Sequence, residues 1–142
     1  MAIAVDLEFD GLVAPVIRSA EHMSVTELAR QIASLSNKAR AKCLSPDDFA
    51  GGTYTITNSG VFGTMITAPI INQPQVAIMS TDSIRKRPVV IEENGVEKIV
   101  PRPVGVLAQS FDHRAIDGAY SASFLNRVRD LIENYDWDSS FT

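Results

Sequence analysis

Two periods of apolar and polar alternation run along this chain, and the switches between them mark its elements. Ala2 to Asp6 and Leu12 to Ile17 are apolar, β-rich runs on either side of Glu8-Phe9-Asp10-Gly11. Asp-Gly is turn chemistry, so this stretch predicts strand, turn, strand. Val25, Leu28, Ile32, Leu35 and Ala39 then recur at helical spacing. Ser24-Val25-Thr26-Glu27 has the form of a capping box at that helix's start, and Lys38, Arg40 and Lys42 complement the dipole at its end. After Gly51-Gly52 the period shortens to two. Thr53 to Thr57 alternates β-branched and aromatic residues as a strand does, and Asn58-Ser59-Gly60 ends it.

A loop through Ala68 to Pro74 leads to a buried strand over Gln75 to Met79. Val89-Val90-Ile91 and Val96 to Val100 flank Glu92-Glu93-Asn94-Gly95, whose Asn-Gly pair predicts a tight hairpin. Val104, Val106 and Ala108 alternate along a last strand, and Gly118 opens a helix with Ala122, Leu125, Val128 and Leu131 on one face. The tail, Tyr135 to Thr142, is acidic and polar apart from Trp137 and Phe141. The order β-β-α-β-β-β-β-β-α predicts an α/β domain, with helices packed against a mixed sheet rather than a doubly wound parallel one.

Composition narrows the class. At 142 residues, 45% apolar and 21% charged, the chain is one globular domain's worth. A net charge of −4 without a long basic run argues against a nucleic-acid surface, and no apolar stretch is long enough to span a bilayer. The single cysteine, Cys43, excludes an internal disulfide and fits a reducing compartment, cytoplasm by default or a mitochondrial matrix. Neither a P-loop nor a dinucleotide fingerprint is present.

The remaining chemistry concentrates in Ser110-Phe111-Asp112-His113-Arg114-Ala115-Ile116-Asp117-Gly118, at a strand-to-helix junction. With only two histidines in the chain, and His22 placed as a solvated residue before a helix, His113 is the candidate proton shuttle. Alone, such a histidine more often braces its junction. Asp112 and Arg114 are placed to pair and hold the turn, and Asp117 to cap the following helix. By residue type Asp112, His113 and Asp117 could also hold a metal, although no second histidine or cysteine stands at ligand spacing.

Four blocks, in order, resemble the catalytic domain of the dihydrolipoamide acyltransferases of 2-oxo acid dehydrogenase complexes. They are Ala4 to Asp6 with Gly11 to Ile17, Gly51 to Gly60, Pro69 to Gln75, and Asp112 to Gly118. The resemblance runs from Ala2 to about Glu133, setting the domain at 1–134 and the tail at 135–142. It implies the chloramphenicol acetyltransferase-like fold and acyl transfer between a dihydrolipoyl group and coenzyme A, both as substrates, with no covalent cofactor and no metal. It further implies that His113 is the general base and Thr57 the oxyanion donor, on different subunits of a homotrimer or larger core. Asp117 supports the loop, Asn58 and Gly60 let the chain bend beside the thioester, and Asn72 lies near coenzyme A. The 2-oxo acid dehydrogenase and dihydrolipoamide dehydrogenase components are the implied partners. The family's domain begins before the position of Met1, which leaves a rival expectation: a truncated structural or assembly module without turnover. Thr57 to Gly63 resembles succinyl-transferring members, and the acyl group stays open among acetyl, succinyl and branched chains.

Overall fold

A computed structural model describes residues 1–137 apart from Phe9. Its strands are β1 (Ala2–Ile3), β2 (Val5–Asp6), β3 (Leu12–Val13), β4 (Thr55–Asn58), β5 (Ala77–Thr81), β6 (Arg85–Glu93), β7 (Val96–Val104) and β8 (Leu107–Phe111). Its two α-helices are α1 (Val25–Arg40) and α2 (Gly118–Asn134). The main sheet has the order β1-β4-β5-β8. β1, β4 and β5 run parallel, and β8 closes the sheet antiparallel to β5. The mixed sheet expected from the order of elements is therefore present, with α2 packed against β8.

The register of this sheet decides where its chemistry lies. Thr57 pairs with Ser80 of β5, and Ser80 pairs with Ala108 of β8. Ala77, Ile78, Met79 and Ser80 are all buried, as a central strand covered on both faces should be. On one face Tyr54 donates to Gln109 Oε1 (2.5 Å), Gln109 Nε2 donates to Ser121 Oγ (2.8 Å), and the Tyr54 ring meets Phe124 edge-on at 5.9 Å. These contacts bind the start of β4 to β8 and α2. Burial of the Tyr54 phenol pushes its pKa up to about 12.

Several sequence expectations shift. The run 2–6 divides at Ala4, whose amide donates to Ile56, so its first half joins the main sheet and its second half pairs with β3. The run 12–17 is a strand only over Leu12–Val13, because Pro15 has no amide to continue a ladder; Val16 returns as an isolated bridge to Ala2. The hairpin is far longer than its apolar residues indicated, spanning nine residues a side. Pro88, Pro101 and Pro103 would break a central strand, yet a two-stranded ribbon has outer edges where no amide is required. Val104 consequently ends β7, and the last strand starts at Leu107. The turn of this hairpin is as expected, with Asn94 (φ 56°) and Gly95 (φ 75°) both in the left-handed region. Of the tail, Trp137 folds back on α2, donating to the Ile132 carbonyl at 3.0 Å; Phe141 lies outside the described residues. Among the described residues no helix is long and apolar enough to cross a membrane.

The capping box of α1 is formed in both directions. The Ser24 amide donates to Glu27 Oε2 (2.8 Å) and the Glu27 amide donates to Ser24 Oγ (3.2 Å). Replacing Ser24 with alanine should cost about 1 kcal/mol, read as a lower urea midpoint at unchanged m-value. An unchanged midpoint would show that α1 is held by its buried Leu35 and Ala39 alone.

Candidate active site

Asp112, His113 and Arg114 form a turn locked by its own polar groups. The Asp112 carbonyl accepts from the amides of Ala115 (2.9 Å) and Ile116 (3.2 Å). Its carboxylate accepts from the Arg114 amide (2.9 Å), Nε (3.0 Å) and Nη2 (2.6 Å), a forked pairing. The Arg114 guanidinium thereby holds the Asp112 carboxyl down to about 2, and the carboxylate raises the arginine in turn. Asp117 caps α2, accepting from the Tyr120 amide at 2.7 Å. The two acids are thus committed to the turn and the cap, and among the described residues no group of metal-ligating side chains converges.

His113 stands exposed at the tip of this turn, its ring 5.6 Å from that of Phe111. With Arg114, Asp117 and Tyr120 it borders an open groove of about 480 Å³. No hydrogen bond engages its ring among the described residues, so both nitrogens are available to a ligand.

Thr57 lies elsewhere. Thr55, Thr57 and Ser59 alternate along one face of β4 and line a second groove of about 830 Å³. Leu12, Val13, Phe49, Ile70 and Ile71 give it apolar walls, and Asn72 also lines it. Of the three β4-face hydroxyls two are occupied. Thr55 donates to Gln75 Oε1 (2.6 Å), and Ser59 lies 2.6 Å from Thr67 Oγ1 and donates to Asp82 (3.2 Å). Only the Thr57 hydroxyl has no partner among the described residues, leaving its proton free to point into the groove. Asn58 turns away from the groove, its Oδ1 accepting from the Gly60 amide at 2.8 Å. Gly60 passes so close to the next strand that a Cβ there would come within 2.7 Å of the Asp82 backbone.

Thr57 and His113 do not meet within one chain. Phe111 is three residue steps along β8 from Ala108, which lies in the row of Thr57. At about 3.3 Å per residue and about 4.8 Å per strand, the end of β8 is roughly 14 Å from Thr57. The Asp112 amide still donates to Val76 (2.7 Å), one step beyond the Ala77–Phe111 pair, so the chain is running away from Thr57 as it reaches His113.

Asp82 escaped notice in the sequence because one acid after a strand carries no periodic signal. It is only 6% exposed. Burial pushes its carboxyl up, but the hydroxyls of Thr64 and Thr67, the Thr67 amide and the Ser59 hydroxyl together hold it below the ordinary carboxylate range. The many hydroxyls of the segment Ser59 to Thr67 were the available hint.

Comparison with known proteins shows the family of the chain. Residues 1–137 match the family model described as 2-oxoacid dehydrogenases acyltransferase (catalytic domain). The chain is 49% identical over 124 residues to a probable dihydrolipoyllysine-residue succinyltransferase component of the 2-oxoglutarate dehydrogenase complex of Schizosaccharomyces pombe, covering 87% of this chain and 26% of that protein. It is 40% identical over 138 residues to a dihydrolipoyllysine-residue acetyltransferase component of the pyruvate dehydrogenase complex of Corynebacterium glutamicum, covering 97% of this chain and 20% of that one. It thus spans about a quarter of the length of such relatives. Among solved structures, the Azotobacter vinelandii dihydrolipoamide acetyltransferase superposes with a TM-score of 0.85 at 39% identity, over 94% of this chain and 53% of that one. The roles of a serine, a histidine and an asparagine in its catalytic mechanism have been investigated. A cubic core of a pyruvate dehydrogenase multienzyme complex also gives a TM-score of 0.85, at 37% identity over 99% of this chain and 55% of that one.

The Asp112–Arg114 pair yields a pH prediction. A depressed carboxyl contributes stability that is complete above its unfolded value and is lost as pH falls through the folded one. Asp112 should therefore stay ionised through the range where ordinary aspartates protonate and titrate only near about 2, followed by carboxyl carbon shifts in NMR. An ordinary titration near 3.8 would mean that the fork does not persist in solution.

Proposed function

Because this chain belongs to the acyltransferase catalytic-domain family of the 2-oxoacid dehydrogenases, we propose that it moves an acyl group between a dihydrolipoyl thiol and coenzyme A. His113 is the general base, Thr57 the oxyanion donor, and each complete site joins the His113 groove of one copy to the Thr57 groove of another. The observation that carries this reading is the unengaged Thr57 hydroxyl, between two occupied ones, on a groove that the same chain's imidazole does not border.

The chemistry follows from these positions. Neutral imidazole takes the proton of the coenzyme A thiol, and the thiolate attacks the thioester carbonyl carbon of the acylated lipoyl arm. A carbon–sulfur bond forms, and the carbonyl oxygen gains negative charge that the Thr57 hydroxyl stabilises by donating to it. Collapse breaks the bond to the lipoyl sulfur, which takes the proton back from imidazolium. The reverse direction exchanges the two thiols. The apolar walls near Thr57 suit an uncharged thioester arm.

Support comes from the Azotobacter protein, in which the studied histidine and asparagine are four positions apart, the spacing of His113 and Asp117 here. The hydroxyl there is a serine, for which Thr57 is a chemical equivalent. Asp117 and the Asp112–Arg114 fork position the histidine rather than carry protons. Asn72 borders the coenzyme A side of the Thr57 groove, while Asn58 and Gly60 shape the bend after β4. The catalytic portion is 1–134, with 135–142 as a tail. A homotrimer or larger core, working beside dihydrolipoamide dehydrogenase and a 2-oxo acid dehydrogenase, is the assembly this requires. The rival reading, an assembly module without turnover, draws on the same separation: a chain that stays monomeric has two half-sites and no whole one.

Acyl transfer to dihydrolipoamide from acetyl-, succinyl- and branched acyl-CoA separates these readings. In an active assembly, His113→Ala should lower kcat by about two to four orders of magnitude. Thr57→Ala should lower it by about two to three orders with coenzyme A affinity unchanged. Unchanged rates in both would refute the site, and a folded trimer inert toward every donor would establish the rival.

A further inference from the structure

We propose that Asp82 is a positioning residue for the Thr57 hydroxyl, acting by anchoring the 59–67 loop that leaves β4 directly beyond Thr57. The inference rests on the reading of Thr57 as oxyanion donor and extends it to a residue that touches no substrate.

A buried carboxylate is costly unless several donors satisfy it, and an apolar side chain would fill the same space more cheaply. Asp82 does have its donors, and nearly all come from one loop. Oδ1 accepts from Ser59 Oγ (3.2 Å), Thr64 Oγ1 (2.6 Å) and Thr67 Oγ1 (2.8 Å), and Oδ2 from the Thr67 amide (3.1 Å). Ser80 Oγ approaches Oδ2 at 3.4 Å and donates at 3.0 Å to the Thr67 carbonyl. One carboxylate therefore grips the beginning, the middle and the end of the loop.

Asp82 accepts more of this loop's hydrogen bonds than any other residue. The tip of the loop carries Val61, Phe62, Met65 and Ile66, exposed by 79%, 60%, 58% and 64%, so apolar burial contributes little to its placement. The other fixings run from the end of β5 to the start of β6: the Ser59 amide donates to the Thr81 carbonyl (3.2 Å) and Arg85 Nη2 to the Gly63 carbonyl (3.2 Å). The Ser83 amide and hydroxyl both donate to the Thr64 carbonyl (3.0 and 2.7 Å), and Gly60 packs backbone to backbone on Asp82. The two ends of this loop are the two walls beside Thr57. Ser59 is the next residue on its face of β4, and Thr67 leads into the Pro69–Asn72 wall of the groove. Releasing Asp82 would let the end of β4 and that wall move together. A displacement of about 1 Å at a preorganised donor is enough to cost up to about a hundredfold in rate.

A double-mutant cycle on kcat tests this, using the assembled chain with dihydrolipoamide and acetyl-CoA. Asp82→Asn keeps the shape, removes the charge and turns an amide toward the hydroxyls. It should lower kcat about tenfold to a hundredfold, with KM for acetyl-CoA changing less than about twofold. In the Thr57→Ala background the same substitution should change kcat less than about twofold, because the donor it positions is gone. Equal fold-losses in both backgrounds, or a loss confined to KM, would overturn the proposal and leave Asp82 a purely structural residue. Should Asp82→Asn fail to fold, Thr64→Val removes one donor and keeps the carboxylate, and the same cycle with the same criteria applies. If Thr57→Ala itself leaves kcat unchanged, the oxyanion reading falls first and takes this proposal with it.

Discussion

Strand β5 is hydrogen-bonded parallel to β4 on one side and antiparallel to β8 on the other. This pairing sends the end of β4 and the end of β8 to opposite ends of the sheet along the strand direction. The two groups proposed to carry thioester exchange are the hydroxyl of Thr57 and the imidazole of His113, and each sits close to where its strand ends. The end of β8 is already roughly 14 Å from Thr57, and no side-chain rotamer bridges that separation. On the proposed mechanism, association of copies is therefore a requirement of the register rather than an addition to the chemistry. A heterologous ring, in which each copy offers one face to the next, completes as many sites as it has members.

The two half-sites are stabilised in different ways. On the histidine side an exposed fork between Asp112 and Arg114 sets the turn, and Asp117 ties the following helix to it. These are local contacts between residues close in sequence, and they leave the imidazole at an open tip. On the threonine side the organising group is buried. The Asp82 carboxylate gathers donors from residues 15 to 23 positions away and fixes a loop whose apolar tip faces outward. One half-site is thus presented and the other is walled.

How much of this was legible in the sequence follows the range of the interactions. The capping box of Ser24 and Glu27, the Asn94-Gly95 turn and the Asp117 cap are signals contained within a few residues, and all three appear as expected. The hairpin is longer than its apolar residues signal, because Pro88, Pro101 and Pro103 would break a central strand but are tolerable on a ribbon with two free edges. The break at Ala4 and the early end of β3 depend on which partner each amide finds, and no alternation pattern encodes that. His113 and Thr57 could be picked out as residues. Their placement at opposite ends of the sheet could not, since it depends on the pairing of β5 with strands distant in sequence. Asp82 was invisible for the same reason: its donors are scattered over Ser59 to Thr67 and only the fold collects them.

The claim that one site is shared between two copies is tested most directly by complementation. His113→Ala and Thr57→Ala chains would be produced separately and then co-assembled in equal amounts, with mixed composition verified by native mass spectrometry. Each mutant alone lacks one half of every site, whereas a mixed ring contains some interfaces that pair an intact histidine face with an intact threonine face. Random mixing predicts recovery to roughly a quarter of the unmodified rate per interface. Mixed rings with no more activity than the separate mutants would contradict the shared site.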